Sequence, residues 1–125
     1  MLLPEDEAYL KRIGNDHSVL PEAGFVCVVI KNYRLPSGYA IPQTDLLIRL
    51  PGGFPDAPPD MWWCSPEVRL MSGAYAPNTE ANENHLGRQW QRWSRHFQPG
   101  QWSPGRSGLE SYLATVRGDF EKWVR

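Results

Sequence analysis

The stretch "LLIRLPGGFPDAPPDMWW", residues 46–63, decides how the chain is read. Its start belongs to the apolar run "DLLIRL" (45–50), and its end opens another, "MWWCS" (61–65). Short apolar runs bounded by turn residues read as strands. Between them "PGGFPDAPPD" (51–60) holds four prolines and two glycines. Proline removes a backbone donor and fixes φ, so this segment cannot continue a helix or a sheet ladder. Two strands joined by a stiff, irregular turn are expected.

Outward from that point, "FVCVVIKNY" (25–33) is a continuous, mostly β-branched run and reads as a buried strand. "LPSGYAIP" (35–42) ends it with two prolines and a glycine. Upstream, Pro4 suits a first helical turn, Glu5, Asp6 and Glu7 follow, and Lys11 and Arg12 precede Gly14. That order of acids, bases and glycine predicts a short helix. His17 is expected in a solvated loop before the first strand. Residues 66–106 show no regular pattern, and their many aromatic side chains argue against disorder. At the end, Leu109, Tyr112, Leu113, Val116, Phe120, Trp123 and Val124 line one face of a helix over 108–123. Ser107 and Glu110 have the spacing of a capping box at its start. The expectation is one α+β domain over 1–125. It is an antiparallel meander of three or four strands with a helix at each end.

Composition narrows the partners. The 125 residues carry a net charge of −1, which gives no bulk attraction for a nucleic acid or a membrane surface. No apolar run approaches the ~20 residues that span a bilayer. The opening residues lack a basic segment, so no secretory signal is expected. The two cysteines, Cys27 and Cys64, make neither a metal pair nor a disulfide framework, and a reducing, cytoplasmic setting is expected.

Four features in order carry a resemblance: the strand with its Phe54-Pro55 turn and double proline (Pro58, Pro59), then "APNT" (76–79), then "QWSP" (101–104), then the capped helix. Together they resemble the ubiquitin-conjugating enzyme superfamily, and especially its divergent bacterial members called prokaryotic family E. "APNT" resembles that family's His-Pro-Asn motif with Ala76 in place of the histidine, and "QWSP" resembles its Trp-Ser-Pro segment. The resemblance implies the conjugating-enzyme fold and an acyl carrier of a bacterial ubiquitination-like pathway. Such pathways also encode an activating enzyme, a ubiquitin-like protein and a deconjugating peptidase. Antiphage defence is among the processes the resemblance leaves open.

The resemblance also marks a site. The family's nucleophile is a cysteine eight residues before that tryptophan; eight residues before Trp102 stands Ser94. Neither Cys27 nor Cys64 occupies that place. The segment from Asn78 to Ser94 is longer than in typical members, and the added "TEANENHLGRQ" (79–89) carries His85. A serine can hold an acyl group as an oxyester but needs help to lose its proton. His96 and His85 are the candidate bases. Asn78 matches the family asparagine and would face the carbonyl oxygen, or else closes an Asx-turn after Pro77. Arg92 and Arg95 either bind carboxylates of a partner or stack on Trp90 and Trp93. Trp93, with Trp90 and Trp102, either packs beneath the loop or anchors a partner. His85, His96 and Glu83 have no spacing that supports a metal, and no cofactor is expected.

Two functions follow. In the first, Ser94 accepts a ubiquitin-like protein from an activating enzyme and passes it on. In the second, the chain is an inactive module that docks the activating enzyme or the ubiquitin-like protein. Convergence of the histidines on Ser94 would separate them. The resemblance further implies docking of the activating enzyme on the N-terminal helix, through Glu5, Asp6, Tyr9, Lys11 and Arg12.

Overall fold

The first helix forms where its charges predict it. In a computed structural model that describes residues 2–98, 100–104 and 106–125, α1 spans Pro4–Ile13. Gly14 closes it at φ 80, its N–H donating to the Lys11 carbonyl. That left-handed conformation is one glycine adopts without strain.

Six strands follow: β1 (His17–Glu22), β2 (Phe25–Arg34), β3 (Gln43–Leu50), β4 (Trp62–Ser65), β5 (Asn82–His85) and β6 (Arg88–Trp93). They form one sheet in the order β1-β2-β3-β4-β6-β5, every neighbouring pair antiparallel. The expectation of three or four strands is therefore corrected to six. His17 opens β1 and does not lie in a loop, and the region 66–106 contains a hairpin. Both extra hairpins close through two residues with positive φ, Ala23-Gly24 and Leu86-Gly87. That is the geometry of a tight primed turn, whose usual signal is Asn-Gly or Asp-Gly. Alanine and leucine in the first position hid it.

The inner face of the sheet presents Val28, Ile30, Leu46, Ile48, Trp62, Cys64 and Trp93 to the last helix, α2 (Leu109–Lys122). Leu109, Tyr112, Leu113, Val116 and Phe120 of α2 are buried against them, on the face predicted from their spacing. The outer face has its own small core of Cys27, Val29, Leu47, Trp63 and Trp90. It is closed by the curl of the sheet. The amide of Leu86, at the β5–β6 turn, donates to Glu22 Oε2 at 2.7 Å, so the two edges of the sheet meet.

The cap of α2 differs from expectation. Gly108 is the N-cap, and its amide donates to Ser111 Oγ at 2.8 Å. The Leu109 amide donates to Asp6 Oδ1 of α1 at 3.2 Å. Ser107 instead accepts from the Ser103 amide, and Glu110 pairs with Arg12 at 2.9 Å. The helix starts later than the Ser107 spacing requires, and a carboxylate from α1 takes an amide that would otherwise be orphaned. The long segment before β5 is fixed by buried Gln91, whose side chain bonds both the N–H and the carbonyl of Val68 (2.7 and 3.0 Å).

Candidate active site

Strand alternation sets the site. Side chains two apart on β6 share a face, so Trp93 points into the core while Arg92 and Ser94 point to the outer side. Trp93 is fully buried, stacked on Trp62 at 6.1 Å and edge-on to Phe120 at 4.7 Å. Its indole N–H reaches Gln91 Oε1 at 3.1 Å. Ser94, half-buried, leaves the strand next, and its amide donates to the Asn78 carbonyl at 3.1 Å. Ser94 and Asn78 are thus neighbours although fifteen residues lie between them in the chain. Asn78 is exposed at φ 59, a left-handed position asparagine tolerates. Its side-chain amide hydrogen-bonds none of the described residues, so no Asx-turn consumes it.

The Ser94 hydroxyl accepts a hydrogen bond from Arg92 Nε at 2.9 Å. Arg92 Nη1 donates in turn to Glu83 Oε2 at 2.7 Å. The other oxygen of Glu83 accepts from Trp63 Nε1 at 3.0 Å and lies 2.9 Å from His85 Nε2. Burial alone would raise the Glu83 pKa. Hydrogen bonds from His85, Arg92 and Trp63 outweigh it and hold the carboxyl below its ordinary range. His85 Nδ1 then lies 3.6 Å from Glu22 Oε1. A chain of polar contacts runs from Ser94 through Arg92 and Glu83 to His85.

The histidines are placed apart from the hydroxyl. His96 Nδ1 is 2.6 Å from Asp60 Oδ1 in an exposed pair that ties the loop to the proline-rich turn. Among the described residues neither His85 nor His96 hydrogen-bonds Ser94 Oγ. Arg95 is engaged elsewhere. Its Nε meets Asp119 Oδ2 at 2.8 Å, its Nη1 meets the Pro77 carbonyl at 2.9 Å, and it lies 5.3 Å over Trp93. It fastens the loop before Asn78 to α2. Trp90 is buried with its N–H on the His85 carbonyl, and Arg88 covers its ring. Trp102 donates to the Pro55 carbonyl at 2.8 Å and packs on Phe54 and Phe97. Cys27 and Cys64 are both 0% exposed, and burial raises the Cys64 thiol well above its ordinary pKa.

The Arg92–Glu83 pair was not read from the sequence. Only the Arg92–Ser94 spacing hinted at it, and it needs β5 alongside β6. A groove of about 380 Å³ is lined by Arg95 and His96 together with Trp62, Phe97 and Tyr112, and Ser94 is not part of its lining. A depression of about 530 Å³ between α1, α2 and β2 is lined by Tyr9 but by none of the candidate catalytic residues.

The model of the prokaryotic E2 family E matches residues 2–123. The chain belongs to the prokaryotic E2 family E. No curated protein and no solved structure matches it. As a member of the prokaryotic E2 family E, it has an E2-like role in prokaryotic ubiquitination-like systems, with an activating enzyme and a ubiquitin-like protein as partners in general. No helix among the described residues is long and apolar enough to cross a membrane.

Proposed function

We propose that the chain is an acyl carrier. A ubiquitin-like protein, delivered as a thioester by an activating enzyme, is held on Ser94 as an oxyester and passed to an acceptor. The observation that carries this reading is the pairing of positions. Ser94 sits beside Asn78, above buried Trp93, with its hydroxyl engaged by Arg92, while both cysteines are shut away from any partner. An exposed asparagine amide with no other engagement among the described residues suits a developing oxyanion.

Incubation with an activating enzyme and ubiquitin-like protein of such an operon, and ATP, should yield a covalent adduct. Ser94→Ala should abolish it; Cys27→Ala and Cys64→Ala should not. An adduct that persists in Ser94→Ala contradicts the reading.

One observation favours a second reading. The histidines do not converge on Ser94, so the chain can serve as a docking module that carries nothing. Binding of the ubiquitin-like protein or activating enzyme with no adduct under any condition is its signature.

The face proposed for the activating enzyme is the outer side of α1, with Glu5, Lys11, Arg12 and half-buried Tyr9. Asp6 leaves this set because it is buried and caps α2.

A further inference from the structure

Building on the reading of Ser94 as acyl acceptor, we infer that Arg92, anchored by Glu83, is the catalytic residue that stabilises negative charge on Ser94 Oγ. Its part differs from that of the base expected in His96 or His85, because it holds charge and moves no proton. Arg92 Nε already donates to Oγ at 2.9 Å, and the far side of the guanidinium is held by Glu83 at 2.7 Å. Glu83 is fixed by Trp63 and His85. The donor is therefore aimed at the reacting atom before any partner arrives, which is the arrangement that stabilises developing charge most effectively.

A guanidinium stays protonated at working pH, so Arg92 takes no proton. The reaction does not need it to. In acceptance, the Oγ–carbonyl carbon bond forms and the carbon–sulfur bond of the incoming thioester breaks. The hydroxyl proton passes to solvent as Oγ attacks, and the departing thiolate takes one back from solvent, giving a thiol. In discharge to an amine, the nitrogen–carbon bond forms, the Oγ–carbon bond breaks, and a proton from the amine returns to Oγ. Both steps balance without a further reagent. In both, negative charge builds on Oγ, where Arg92 points. Glu83 is a positioning residue: it does not touch Oγ and acts through the guanidinium.

The test replaces Ser94 with cysteine and reads the pKa of the introduced thiol from the pH dependence of its alkylation by iodoacetamide. Cys27 and Cys64 are buried and silent in the folded chain. The thiol introduced by Ser94→Cys should titrate below the ordinary value of about 8.5. Adding Arg92→Gln should raise it by about one or more. Arg92→Lys, which keeps the charge but loses the aligned N–H, should raise it less. Glu83→Asp, which draws the anchor back, should also raise it. Arg88→Gln, on the same face but bound to Asp45 and Ser65, should leave it unchanged. In the serine form, Arg92→Gln should slow adduct formation by about 10²-fold. A thiol pKa indifferent to Arg92→Lys and to Arg92→Gln, in variants that melt as folded proteins, overturns the inference. If the thiol responds to Arg92 but the unaltered chain never forms an adduct, acyl carriage fails while the role of Arg92 at this atom stands.

Discussion

Asp6 Oδ1 accepts the amide of Leu109 at 3.2 Å, so a carboxylate from the first helix caps the last. Asp6 is 2% exposed, and its second oxygen has no hydrogen-bond partner among the described residues. Burial raises its pKa, against the lowering effect of the Leu109 and Leu3 amides. The folded state therefore holds this proton more tightly than the unfolded chain. Stability is fully present below the ordinary aspartate pKa of about 3.9 and is lost as pH rises through the folded value. Asp6→Asn keeps an acceptor for Leu109 and removes the charge. It should flatten that part of the stability–pH curve and leave the protein at least as stable at neutral pH. Asp6→Ala loses the cap and should cost about 0.5–2 kcal/mol. Denaturant melts of the three proteins across acid and neutral pH check both.

Legibility followed the strength of local signals. The apolar runs at Phe25–Arg34 and Gln43–Leu50 and the helical stripe from Leu109 to Phe120 are long and periodic, and each is found where it was expected. β1 was hidden because it is a largely exposed edge strand containing Pro21. β5 was hidden because "NENH" has little strand propensity and gains its place only by pairing with β6. The site inherited that gap. The position of Ser94 could be read along the chain. The Arg92–Glu83 pair could not, because it exists only once the β5–β6 hairpin has formed.

Leu113 lies 3% exposed at the centre of the α2 contact with the sheet. Leu113→Ala should cost about 2–5 kcal/mol, because the cavity adds to the lost transfer energy. Thr115→Ala on the exposed side of the same helix should stay within about 0.5 kcal/mol. Urea midpoints at unchanged slope distinguish the two.

Gly38 adopts φ +114, and a Cβ there would lie 2.7 Å from Val124 Cβ. Gly38→Ala combines a left-handed backbone with a clash and should destabilise by more than about 1 kcal/mol. Adding Val124→Ala should fail to restore full stability, because the backbone strain remains. Full recovery in the double variant's thermal melt would show that the clash alone mattered.

Lys11 and Arg12 are exposed on α1, and Arg12 also reaches Glu110 at 2.9 Å. Lys11→Glu with Arg12→Glu should weaken binding to the activating enzyme in a calorimetric titration. The exposed Arg12–Glu110 pair contributes at most about 1 kcal/mol, so the fold should survive. Unchanged affinity places the docking face elsewhere.

Whether the oxygen of Ser94 forms the covalent bond is decided by the sensitivity of the adduct to thiol reductant. The adduct of the unaltered chain should survive reductant and be released by alkali, whereas the adduct of Ser94→Cys should be released by reductant. A reductant-sensitive adduct on the unaltered chain would put the bond on a thiol and not on Ser94.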